Sequence, residues 1–124
     1  MTILIVGDSC EDVFIYGDIT RLTPEAPAPV FNPLREKTNG GMAKNVANNV
    51  EALKMTIFTL TNKNNIRKVR YVDDKSNQLV LRVDEHDYCD RIDKEILMQI
   101  KNNECKPSMS NKTSIDAIII SDYC

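Results

Sequence analysis

Gly40-Gly41-Met42-Ala43-Lys44-Asn45-Val46-Ala47 is the stretch on which the reading of this chain turns. Met42, Val46, Val50 and Leu53 recur at helical spacing with Ala43 and Ala47 beside them, which predicts an amphipathic helix over 41–53, opened by the glycine pair. Glycines at a helix start let a ligand approach the backbone closely, and the helix N-terminus presents unpaired N–H groups and a positive dipole end. Asn45, one turn in, both donates and accepts hydrogen bonds. That combination suits a sugar or sugar phosphate, although a glycine pair before a helix also serves as a plain turn.

Outward from this stretch the chain alternates between strand and helix signals. Residues 2–6 are an apolar run ended by Gly7, as expected for a strand buried on both faces of a parallel sheet. Val13 to Tyr16 is a short strand candidate, and Pro24, Pro27, Pro29 and Pro33 then exclude helix and admit only an edge-type extended segment. Met55 to Leu60 reads as a second buried strand and Asn62 to Asn65 as a turn. Residues 66–72 and 78–84 form a hairpin pair, in which Leu79, Leu81 and Val83 mark a face to be covered. Asp90 is placed to cap a helix running to about residue 102 on an apolar stripe of Ile92, Ile96, Leu97 and Ile100. A polar loop over 105–114 with Pro107 leads to a last buried strand at 115–121. The expected architecture is one α/β domain over 1–124, a three-layer unit of parallel strands with an antiparallel β lid within about 13–36 and 66–84. Ligands in such folds bind beyond the carboxyl ends of the parallel strands, where Gly7-Asp8, Thr61 and Asp122 fall.

Composition narrows the function classes. A net charge of −2 argues against a general nucleic-acid or anionic-membrane binder. The basic run Ile66-Arg67-Lys68-Val69-Arg70-Tyr71 therefore reads as a solvated strand face. No apolar run approaches the roughly 20 residues of a membrane span, and the N-terminal strand lacks the basic flank of a signal peptide, so a cytoplasmic protein is expected. Cys10, Cys89, Cys105 and Cys124 are widely spaced and read as free thiols. His86 and Cys89 have a metal-like spacing without a second ligand pair, so no metal site is expected, and the sequon Asn111-Lys112-Thr113 has no role in the cytoplasm.

Several segments, in order, carry a resemblance: Gly7-Asp8-Ser9-Cys10-Glu11-Asp12, Gly17 to Val30 with its Arg21-x-x-Pro24-Glu25-Ala26-Pro27, the glycine stretch, Asn77 to Asp84, and Ile118-Ile119-Ile120-Ser121-Asp122-Tyr123. Together they resemble the N-terminal part of the ribokinase-like (PfkB) carbohydrate kinases, nearest the subgroup that phosphorylates heptose 7-phosphate towards ADP-heptose. The resemblance implies that Asp12 binds sugar hydroxyls with Asp8 as its strand-end companion, and that Gly40, Gly41 and Asn45 form the substrate-binding glycine motif. It implies ATP and Mg²⁺ as cofactors of the full enzyme, a sugar or sugar phosphate as ligand, and a lid that pairs with a second copy or a partner chain. The sequence also departs from the pattern. The Gly-Ala-Gly-Asp motif that carries the family's catalytic aspartate is absent, the link from Leu60 to Ile66 is short, and Lys54 stands where a glycine usually ends the helix. The expectation is a truncated, internally shortened sugar-kinase-like domain with no catalytic residue and no cofactor site of its own, inactive alone. The alternatives are a non-catalytic interaction module pairing through its lid, or one part of a split kinase.

Overall fold

The chain runs β1 (Thr2–Gly7), β2 (Ser9–Leu22), β3 (Pro29–Met42), α1 (Ala43–Ala52), β4 (Thr56–Thr61), β5 (Ile66–Asp73), β6 (Leu79–Glu85), α2 (Lys94–Lys101) and β7 (Ala117–Ser121). This computed structural model describes residues 1–101 and 114–123, so Cys105, Cys124, the sequon and most of the expected 105–114 loop lie outside the described residues.

The apolar run at the N-terminus becomes β1, the middle strand of a parallel sheet ordered β4-β1-β7. Alternation along β1 feeds two cores. Ile3 and Ile5 pack with Ala43, Ala47 and Val50 of α1 on one face, while Leu4 and Val6 pack with Ile100 of α2 on the other. Ile5 is fully buried, and burial of such a side chain contributes about 1.5–3 kcal/mol. Helix, sheet and helix form three layers, as the sequence pattern predicts.

The second sheet is ordered β3-β2-β5-β6. Its outer pairs, β2 with β3 and β5 with β6, are antiparallel, while β2 and β5 in the middle run parallel. The first lid arm, β2 and β3, exceeds the expected 13–36, while β5 and β6 keep to about 66–84. β2 is 14 residues long instead of the short strand at 13–16, because β3 offers it a partner along nearly its whole length. The prolines sit where the physics allows, since β3 is an edge strand and Pro33 faces Gly17 at a register shift.

Three local expectations are corrected. Gly40 and Gly41 belong to the end of β3 and not to the helix; the helix begins at Ala43 after Met42, whose φ is 54°. Asp93, not Asp90, holds the start of α2, its Oδ1 accepting the Glu95 N–H at 3.0 Å. Leu79, Leu81 and Val83, expected to be covered, are exposed on β6, an edge strand.

Four chain segments cross between the two sheets, and hydrogen bonds join them in series. Ala43, after β3, donates its N–H to the carbonyl of Asp8, the single residue between β1 and β2. Ser9 donates its N–H to Asn62 Oδ1 at 2.6 Å and accepts from Asn62 Nδ2 at 3.0 Å. Asn64, in the same β4–β5 link, donates to the carbonyls of His86 and Tyr88 beyond β6. Each crossing is tied to the next.

Candidate functional site

Asp12 lies on β2 opposite Asn39 of β3, and α1 passes over the end of that strand pair. Asn45 and Asn48, one helical turn apart, stand on the exposed side of α1. An open cleft of about 490 Å³ results, lined by Asp12, Phe14, Thr38, Asn39, Gly40, Asn45 and Asn48. Three side-chain amides both donate and accept, one carboxylate accepts strongly, and one aromatic ring offers an apolar face. Such a set matches a ligand that carries many hydroxyl groups on a carbon frame.

The carboxylate of Asp12 is held from two sides. Arg70 of β5 donates Nη1–H to its Oδ1 at 2.5 Å, and the same group donates to the Lys68 carbonyl at 3.2 Å. The Arg70 guanidinium also sits 5.1 Å from the centroid of the Phe14 ring. On the other side, a Cβ built on Gly41 would collide with Asp12 Oδ2 and with the sulfur of Cys10. Gly41 is therefore bare at a point where these two side chains leave no room for a Cβ. Cys10 is buried, and desolvation, with the nearby Asp12 charge second, pushes its thiol pKa up. It remains a neutral thiol.

Of the residues the sequence singles out, Asp12, Gly40 and Asn45 surround one cleft, and Gly41 lies beneath Asp12. Asp8 stands apart from that lining, at the carboxyl end of β1, where its N–H bonds Ser121 and its Oδ2 accepts the Tyr123 N–H at 3.3 Å. Phe14, Thr38, Asn39, Asn48 and Arg70 were not foreseen. Asn48 was within reach, being three residues after Asn45 on the same helix; the others depend on strand register. Among the described residues no three His, Cys, Asp or Glu side chains gather as a metal site. A smaller cleft of about 220 Å³ adjoins the strand crossings, lined in part by Glu11, Lys44 and Asn62.

Along the lid, Arg82 donates to both oxygens of Asp84, which holds that carboxyl below its usual range. In the loop after β2, the Thr23 hydroxyl donates to Glu25 Oε2 and accepts the Glu25 N–H, both at 3.1 Å. No helix among the described residues is long and apolar enough to cross a membrane.

Comparison with known proteins gives the following. Bifunctional protein HldE of Helicobacter pylori strain P12 is 34% identical over 143 residues, covering 98% of this chain and 31% of that protein. The HldE protein of Nitrobacter winogradskyi is 56% identical over 52 residues, covering 42% of this chain and 11% of the relative. The chain thus spans at most about a third of these relatives. Since 143 aligned residues exceed the 124 of this chain, the Helicobacter protein carries residues inside the matched span that are missing here. Among solved structures, a ribokinase from Thermotoga maritima aligns with a TM-score of 0.40 at 15% identity, over 68% of this chain and 36% of that one. A carbohydrate kinase from Agrobacterium tumefaciens gives 0.35 at 14%, over 68% and 35%. No protein-family model matches the chain.

Proposed function

Because this chain belongs to the ribokinase-like carbohydrate kinases through its relationship to the HldE proteins, we propose that it is the sugar-binding part of a heptose phosphate-type kinase. The observation that carries the reading is the convergence of Asp12, Asn39, Asn45, Asn48 and Phe14 on one open cleft. Asp12 accepts hydrogen bonds from neighbouring sugar hydroxyls, and the amides of α1 complete the ring of donors and acceptors. In the family, ATP and Mg²⁺ supply the phosphoryl group and its charge stabilisation, and a base removes the hydroxyl proton. These 124 residues contain no Gly-Ala-Gly-Asp motif to supply that base, so on this reading they bind sugar and do not transfer phosphate by themselves. A cytoplasmic location goes with the reading.

The test combines turnover and binding. Purified chain with ATP, Mg²⁺ and heptose 7-phosphate is expected to form no product. Heptose 7-phosphate is expected to bind with a Kd on the order of millimolar, since an open, wet cleft offers a few hydrogen bonds and little enclosure. Turnover abolished by Asp12→Ala would overturn the inactive reading. Absence of binding at roughly tens of millimolar sugar would overturn the sugar site.

A second reading, an interaction module pairing through the lid, is favoured by the exposed row of Leu79, Leu81 and Val83 on edge strand β6. Apolar rows on open edges promote pairing with another strand or a second copy. It requires a concentration-dependent dimer in sedimentation, lost on Leu81→Lys; a monomer throughout would end it.

A further inference from the structure

We propose that Arg70 is a positioning residue of this site, fixing the Asp12 carboxylate in the orientation that receives sugar hydroxyls. The proposal rests on the sugar-binding reading and adds to it the residue that makes Asp12 serviceable. Asp12 sits on a strand whose side chain, left alone, has free rotation about χ1 and a broad χ2. Arg70 removes that freedom. Its Nη1 takes Oδ1 at 2.5 Å, and both side chains are about three-quarters buried, 22% and 25% exposed, so water competes poorly for the contact.

The arrangement leaves a division of labour between the two oxygens. Oδ1 belongs to Arg70, and Oδ2 stands over the bare Gly41. Arg70 is itself steadied by the Lys68 carbonyl and by the face of Phe14, another residue of the cleft. Cross-strand register explains why Arg70 is the residue that does this: β5 runs parallel to β2 with Phe14 beside Arg70, one alternation along from Asp12 beside Lys68. A long side chain from that neighbouring row reaches back to the carboxylate. Lys68, directly beside Asp12, instead directs its ammonium to Asp87 at 3.7 Å. A direct contact between Arg70 and a ligand phosphate is the rival role; the guanidinium's commitment to Asp12, Lys68 and Phe14 favours positioning.

The experiment follows backbone amide spectra of the whole chain titrated separately with heptose 7-phosphate and with the unphosphorylated heptose. Wild type, Arg70→Gln, Arg70→Lys, Asp12→Asn and the Asp12→Asn/Arg70→Gln double variant are compared, each checked for a dispersed, folded spectrum. Positioning predicts that Arg70→Gln weakens both sugars about fivefold or more and to the same extent, as expected when a charge-assisted contact orienting a ligand group is lost. Arg70→Lys recovers part of the loss, and in the Asp12→Asn background Arg70→Gln adds nothing further. Wild-type affinity in Arg70→Gln, losses that add to those of Asp12→Asn, or loss confined to the phosphate ester would each overturn positioning while leaving the sugar site standing. Should wild type show no response to either sugar, the sugar site itself falls and positioning with it. If Arg70→Gln does not fold, Arg70→Lys with Asp12→Asn completes the same cycle.

Discussion

At the scale of single residues, the glycine pair shows how two identical side-chain absences serve different ends. A Cβ on Gly41 meets Asp12 Oδ2 and Cys10 Sγ, both fixed from behind, whereas one on Gly40 meets Lys44 Cγ at 2.7 Å, the stem of a half-exposed, flexible side chain. Gly41→Ala is therefore expected to destabilise the fold by about 1–3 kcal/mol, the usual cost of overpacking, and Gly40→Ala by less than about 1 kcal/mol. Urea denaturation of the two variants measures the difference, and equal costs would show that the Asp12–Cys10 contact does not constrain Gly41. The sequence marked both glycines as special, and the structure adds a packing reason for the second of them. Composition and spacing mark the glycines; only the cross-strand register of Cys10 with Gly41, and of Asp12 two residues on with Asn39, reveals what occupies the place of a Cβ.

At the scale of elements, α1 was legible because its periodicity is local, and its boundaries slipped by only a residue or two. Its end carries a further consequence. Lys54 follows the last turn with φ 58°, donating its N–H to the Glu51 carbonyl at 2.8 Å, in the left-handed position that glycine ordinarily fills. A side chain there costs energy that glycine does not, so Lys54→Gly should stabilise the domain by about 1 kcal/mol. A rise in the thermal midpoint checks this; a fall would mean that the lysine side chain compensates through contacts of its own. The lid strands were harder to read for the opposite reason. β2 and β3 include Gly17, Asp18, Pro29, Pro33 and Asn39, poor strand formers that a local reading breaks into loops. Their length comes from pairing with each other across a gap in sequence, and such non-local pairing leaves little trace in either strand taken alone.

At the scale of the whole molecule, the two sheets were foreseen, and so was the polar ground beyond the carboxyl ends of the parallel strands. The sequence did not show Asn39 on the cleft or Arg70 behind Asp12, since strand register and not motif brings both there. What the sequence did not disclose is the serial bonding of the four crossings, from Ala43 to Asp8, from Ser9 to Asn62, and from Asn64 to His86 and Tyr88. A flap whose four crossings are fastened at three points in series does not swing on one of them. Its excursions should be all-or-none, and amide hydrogen exchange reports such openings. Asn62→Ala removes the middle fastening, two bonds to Ser9 and one to the Asn64 carbonyl. It should speed exchange at Ser9 and at Ala43 by a common factor, about tenfold for bonds of this kind, while Ile5 inside the parallel sheet keeps its protection. Faster exchange at Ser9 with Ala43 unmoved would mean separate latches. A common factor would mean that this lid has a single hinge line, drawn through side-chain amides instead of through flexible backbone.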